Sequence, residues 1–245
     1  MGYYYTSVAT TSNTKDDMQN YRPDSLIFDL DGTLWDPCKT VAEAENRAAL
    51  RAKIECHSTA ELVRSTCGLP EKDVWQLQFP HLNEEQIHLI RSYFPEELKE
   101  CLMQNGASFY PGVLNGLKSL KQEFQLFLVS NCGAEYLECF FRWSKCQHLF
   151  EDYECFGRTG KPKSENIRAI VDRNKLQSPI YIGDTDGDQK ASTAAGVVYF
   201  HMKYGFGKPE KQCMEFETFK DLVEALMIQE TKETSPYRRV TVHCI

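Results

Sequence analysis

No run of apolar residues in this chain approaches the ~20 needed to cross a bilayer, so the sequence offers no membrane span. Its ten cysteines (Cys38, Cys56, Cys67, Cys101, Cys132, Cys139, Cys146, Cys155, Cys213, Cys244) form no C-x-x-C pair and no His/Cys group at zinc spacing. No apolar segment near the N-terminus can act as a signal peptide, so reduced thiols in the cytosol are the expectation. Positive charge is in deficit, 28 Lys+Arg against 35 Asp+Glu, and the net charge of −7 argues against a nucleic-acid-binding surface. What the chain has is length: 245 residues can bury a substantial core in one α/β domain with an inserted subdomain.

Chemistry first appears in Ser25-Leu26-Ile27-Phe28-Asp29-Leu30-Asp31-Gly32-Thr33-Leu34, a short apolar run that ends in two carboxylates one residue apart. The run reads as a buried strand, and acid groups at its end need a cation or hydrogen-bond donors. In open α/β sheets, ligands collect beyond the carboxyl ends of strands where strand order reverses. A strand followed by a plain Asp-Gly turn is the ordinary alternative. Average residue usage produces D-x-D-G-T in a chain of this length on the order of a few times per thousand sequences.

The string resembles the first motif of the haloacid dehalogenase-like hydrolase superfamily, most of whose members are magnesium-dependent phosphatases. Three further motifs follow in the family's order. Phe127-Leu128-Val129-Ser130-Asn131 closes an apolar run on a serine, Lys161-Pro162-Lys163-Ser164-Glu165-Asn166-Ile167 sets lysine before a helix, and Ile180-Tyr181-Ile182-Gly183-Asp184-Thr185-Asp186-Gly187-Asp188 supplies the acidic pair. By this resemblance Asp29 is the nucleophile that forms an aspartyl-phosphate. Mg²⁺ is the cofactor, with ligands from Asp29, the main-chain carbonyl of Asp31 and Asp184, and with Asp188 ordering its waters. Asp31 would protonate the leaving alcohol and then take a proton from water; dehalogenases lack this second acid. Ser130, N–H groups around Asn131, the Gly32-Thr33 turn and one lysine would hold the phosphate, with Thr33 bonding within its own loop. Lys163 is favoured over Lys161, with Ser164 as the N-cap of the helix that follows. Ser130-Asn131-Cys132-Gly133, Gly157-Arg158-Thr159-Gly160 and Tyr204-Gly205-Phe206-Gly207 resemble a group of such hydrolases, but the last of these strings has no role in this reading.

Between the first motif and Tyr110-Pro111-Gly112 the strand signal gives way to helices. Thr40 and Glu43 predict a capping box for a helix to about Cys56. Further helices are expected over 58–65, 71–78, 83–93 and 95–104. Beyond 110, helices alternate with apolar runs at 124–129, 153–155, 180–182 and 197–200, a pattern that implies a parallel sheet. The predicted fold is therefore α/β, a Rossmann-like parallel sheet flanked by helices with an inserted all-helical cap. The boundaries are 1–21 for a disordered leader, 22–38 plus 108–230 for the core, 39–107 for the cap and 231–245 for a tail. The cap resembles that of the phosphoglycolate phosphatase and β-phosphoglucomutase branch, where a loop such as Gly68-Leu69-Pro70 reaches substrate.

Met1-Gly2-Tyr3-Tyr4-Tyr5-Thr6 satisfies the myristoylation pattern, but a polar leader accounts for it better; Cys244 is misplaced for prenylation. The six histidines lie outside the motifs and read as surface or packing residues, and Phe140, Phe141 and Trp143 as core. The expected activity is hydrolysis of a small phosphorylated metabolite in the cytoplasm, without nucleic acid or membrane. A phosphomutase and a non-catalytic scaffold that binds a phosphorylated partner are the alternatives. Substrate identity and oligomeric state have no readable code in the sequence.

Overall fold

The computed structural model describes residues 23–67 and 71–231. Its strands are β1 (Ser25–Phe28), β2 (Trp35–Asp36), β3 (Ser108–Phe109), β4 (Gln125–Ser130), β5 (Asp152–Cys155), β6 (Pro179–Gly183), β7 (Val198–Met202) and β8 (Met214–Phe216). Its helices are α1 (Cys38–Ala52), α2 (Ala60–Thr66), α3 (Glu71–Gln78), α4 (Glu84–Asn105), α5 (Val113–Leu120), α6 (Ala134–Ser144), α7 (Phe156–Thr159), α8 (Lys163–Asn174), α9 (Asp186–Ala195) and α10 (Phe219–Thr231). Six strands form one sheet in the order β5-β4-β1-β6-β7-β8, and every pairing in it is parallel. Strand order reverses at β1, which opens a crevice beyond its carboxyl end.

Both faces of the sheet are covered, so strands that read as unbroken apolar runs still alternate between two cores. Leu26, Phe28, Leu126, Leu128, Ile180, Ile182, Phe200 and Met202 pack on one side with α5, α6 and α10. Ile27, Phe127, Val129, Tyr181 and Tyr199 pack on the other with Ile167, Ile170 and Ala195 of α8 and α9. Phe140 and Phe141 are buried in the first core, and the half-buried Trp143 packs at its margin.

Two strands too short to leave a periodic signal, β2 and β3, pair antiparallel as Trp35 with Phe109 and Asp36 with Ser108. The chain leaves the sheet along one and returns along the other, and α1 to α4 lie between them. These helices have a small core of their own, made by Ala48 and Ala49 of α1, Trp75 of α3, Phe79, Leu82, and Ile87 and Ile90 of α4.

Several expected boundaries shift. The capping box at Thr40 does not form: α1 starts at Cys38, the Thr40 hydroxyl donates to the Gly106 carbonyl, and Lys53 ends the helix in a left-handed conformation. Ser58 lies before α2, whose cap is Thr59. The two helices expected over 83–93 and 95–104 are one, α4 (Glu84–Asn105), despite Pro95. A mid-helix proline costs about 3 kcal/mol, which is offset by burying Ile87 and Ile90 before it and Cys101 and Leu102 after it. Gly68-Leu69-Pro70, the leader and the tail beyond 231 lie outside the described residues. The nine cysteines among the described residues are free thiols.

Inside the helical layer, Glu45 is buried and accepts a hydrogen bond from the Ser58 hydroxyl. Burial outweighs that bond and pushes its carboxyl up to about 7. The folded protein therefore holds this proton more tightly than the unfolded chain does, and the associated stability is lost as pH rises from about 4.5 to 7. We expect Glu45→Gln to gain up to about 3 kcal/mol relative to the parent between pH 5 and pH 8. Urea unfolding at the two pH values measures the gain, and parallel pH dependence of the two proteins would contradict it.

Candidate active site

Asp29 is the first residue beyond β1, and its N–H donates to the Ile182 carbonyl of β6 at 2.8 Å, so its place is set by the sheet ladder. Asp184 is the first residue beyond β6, and Asp188 lies one turn into α9. All three are buried, and one oxygen from each lies within 4.8 Å of the others. Lys163, on the first turn of α8, donates to Asp29 Oδ1 at 2.8 Å and to Asp188 Oδ1 at 2.6 Å. Lys161 is exposed and pairs instead with Glu165 at 4.0 Å. Ser164 is not the cap; Pro162 is, with no side-chain bond, and starting the helix two residues earlier puts Lys163 on the turn that faces the acids.

Each acid is held by its neighbours. Asp188 Oδ2 accepts from the Asp184 N–H (3.2 Å), the Thr185 N–H (3.0 Å) and the Thr185 hydroxyl (2.7 Å), and Thr185 caps α9 in return. Asp184 Oδ2 accepts from the Phe206 N–H at 2.7 Å, and Oδ1 from the Thr33 hydroxyl at 3.0 Å. The Thr33 hydroxyl thus bonds across to the second acidic segment, while its N–H donates to the Leu30 carbonyl within its own loop at 3.3 Å. Gly32 (φ +84°) passes so near that a Cβ would stand 2.1 Å from Asp184 Oδ2, and one on Gly205 would stand 2.2 Å from Asp184 Cβ. Only glycine fits at either place.

Asp31 is held apart from this group. Its Oδ1 accepts from Trp35 Nε1 and from the Tyr136 hydroxyl, both at 2.6 Å. Trp35 belongs to the ribbon that leads to the helical layer and Tyr136 to α6, so the second acid is fixed from both sides. Ser130 ends β4, next to β1, and its hydroxyl accepts from the Cys132 N–H at 3.2 Å. Asn131 is exposed.

Burial and the charge of Asp188 push Asp29 up to about 7 against the pull of Lys163. Burial and the charges of Asp188 and Asp29 raise Asp184 well above the carboxylate range. Burial, with a smaller push from the charge of Asp36, raises Asp31 against the bonds from Tyr136 and Trp35 and the pull of Lys163. Burial acts the same way on Asp188, yet the Lys163 ammonium and the Thr185 bonds hold it below its usual value. When all are ionised, three carboxylates and one ammonium leave two negative charges in excess. At this spacing each carboxylate pair repels by about 3 kcal/mol. An all-oxygen donor set with excess negative charge suits a hard divalent cation, and Asp29, Asp184 and Asp188 are the residues that could hold one.

A family profile described as haloacid dehalogenase-like hydrolase matches residues 26–202. The chain belongs to that family. Among its relatives are phosphoglycolate phosphatases of Aliivibrio fischeri, 24% identical, and of Vibrio cholerae, 27% identical; each match covers 76% of this chain and 86% of the relative. Solved folds that resemble it include a haloacid dehalogenase-like family hydrolase from Streptococcus pneumoniae (TM-score 0.69, 18% identity, 82% of this chain and 98% of that one). Another is a subfamily IA hydrolase from Geobacter sulfurreducens (TM-score 0.67, 16% identity, 84% and 99%).

Sequence reasoning passed over Trp35, Tyr136, Thr185 and the role of Phe206. The signal for Phe206 was present in the Tyr204-Gly205-Phe206-Gly207 string, where small residues flank a backbone N–H that must come close to an acid. Removing the central cation separates the two lysines sharply. Lys163→Met should cost about 3–5 kcal/mol in urea unfolding with a chelator present, because it leaves buried carboxylates uncompensated. Lys161→Met should stay within about 0.5 kcal/mol. Similar small losses for both would contradict the assignment.

Proposed function

We propose that this hydrolase is a Mg²⁺-dependent phosphatase of small phosphorylated metabolites that works through an aspartyl-phosphate on Asp29. The convergence of Asp29, Asp184, Asp188 and Lys163 at the switch point of the sheet carries the reading. It is supported by the family and by relatives named for a small organic phosphate. Phosphate monoesters are so stable in water that positioning and charge stabilisation must supply almost all of the acceleration.

The Asp29 carboxylate attacks phosphorus, and the bond to the leaving oxygen breaks. Asp31 in its acid form gives that oxygen a proton, so the alcohol departs neutral. Water then attacks the phosphorus of the aspartyl-phosphate while Asp31 takes its proton, which frees inorganic phosphate and restores Asp29. Lys163 keeps Asp29 oriented and adds positive charge beside the transferring group. The Ser130 hydroxyl and the N–H groups that follow it are the further donors. Mg²⁺, held by Asp29, the Asp31 carbonyl and Asp184 with Asp188 behind, would neutralise charge that builds on the phosphoryl oxygens.

Asp29→Asn should abolish phosphate release from every ester. Asp31→Asn should lower kcat on alkyl phosphates by about 10²–10³, because their alcohols leave only when protonated. On p-nitrophenyl phosphate the loss should be no more than about tenfold, since that leaving group needs little help. Malachite-green phosphate assays with and without Mg²⁺ read both effects. Equal loss on the two ester classes would remove Asp31 from its role, and turnover unaffected by a chelator would remove the metal.

A further inference from the structure

Two buried side-chain atoms among the described residues have no hydrogen-bond partner, Gln78 Oε1 and Tyr110 Oη. Gln78 lies beside Glu45 within the helical layer. Tyr110 stands where the ribbon re-enters the core, at the edge of the acid cluster. Its ring packs against Tyr204, tilted by 37° with centroids 4.3 Å apart, and the Tyr204 hydroxyl donates to the Thr33 carbonyl at 2.6 Å. From the other side comes Arg64 of α2. Its guanidinium lies 5.3 Å from the centroid of Phe206, the residue whose N–H holds Asp184, and it pairs with Asp36 of β2. Arg64 also reaches the neighbourhood of the Tyr110 phenol without completing a hydrogen bond of ordinary geometry.

A phenol and a guanidinium are thus gathered against Tyr204 and Phe206, the residues that bond to Thr33 and Asp184. Burial and the charges of Asp36 and Asp184 hold the phenol above its usual titration range, so it stays a neutral donor. The guanidinium has five N–H donors and no acceptor, and pairing with one carboxylate leaves part of its fork unused. An unpartnered buried hydroxyl is destabilising, and that cost is recovered when an acceptor arrives. We propose that Arg64 and Tyr110 form a subsite for a second anionic group, a carboxylate or a second phosphate, on the same small molecule whose phosphate ester meets Asp29. The proposal rests on the phosphatase reading and narrows its substrate class to doubly anionic phosphate esters.

Non-hydrolysable phosphonates test it by titration calorimetry on the full-length protein with Mg²⁺, independently of turnover. The parent should bind 3-phosphonopropionate or 1,3-propylenediphosphonate at least ~10-fold more tightly than propylphosphonate, and which of the two binds better identifies the anion. Arg64→Gln should bring that ratio down to about 1–2. Tyr110→Phe, which removes a single oxygen and keeps the ring contact, should lower it by about 3–10-fold. Equal affinities in the parent, or a ratio unchanged in both variants, would overturn the subsite and leave the phosphatase reading to its own assay. Failure to bind any of the three phosphonates, together with no hydrolysis of any ester, would overturn the phosphatase reading and the subsite with it.

Discussion

Three carboxylates buried within 4.8 Å of one another are an electrostatic liability that the rest of the site is arranged to contain. In a poorly solvated pocket they repel, and the ordinary outcome is protonation. Lys163 prevents that for Asp188 and moderates it for Asp29, but one ammonium cannot answer three acids. The remaining field is the property from which the reading of a cation site follows.

Containment takes three forms, all local. Strand geometry sets the acids: Asp29 and Asp184 are adjacent because β1 and β6 pair in register, Phe28 against Ile182. Donors then fix the carboxylate planes, from Thr185 for Asp188 and from Thr33 and the Phe206 N–H for Asp184. Glycines at 32 and 205 give the backbone the close approach that these bonds demand. Asp31 is handled separately by Trp35 and Tyr136, so the acid that would move protons is not drawn into the charge cluster. Because Trp35 also begins the ribbon to the helical layer, the placement of this acid depends on the same segment that carries α1 to α4.

Much of this was legible in the sequence. A carboxylate that ends an apolar run is visible as a contradiction in polarity, and Asp29 and Asp184 were located by it, as was the parallel sheet by its spaced short runs. The letters favoured Lys163 over Lys161 without deciding between them, since the choice depended on where the helix began, and Ser164 suggested a start two residues late. Pro95 and Thr40 misled for one reason: local preference amounts to a few kcal/mol at most, and burial of α4 on both sides of the proline outweighed it. Phe206 contributes a backbone N–H, which shows in the letters only through the glycines beside it, and nothing in the sequence set Trp35 and Tyr136 apart from the other aromatics; their polar edges matter because the fold brings them to Asp31.

The central claim is that these acids form one divalent-cation site whose shape depends on Asp184 lying against Gly205. Titration calorimetry of the chelator-treated protein with Mg²⁺ tests it, alongside Gly205→Ala, which keeps every candidate ligand but pushes a methyl into Asp184. The account predicts one Mg²⁺ bound per chain in the parent and at least ~10-fold weaker binding in the variant. No saturable Mg²⁺ binding in the parent, or equal affinity in the two proteins, would contradict it.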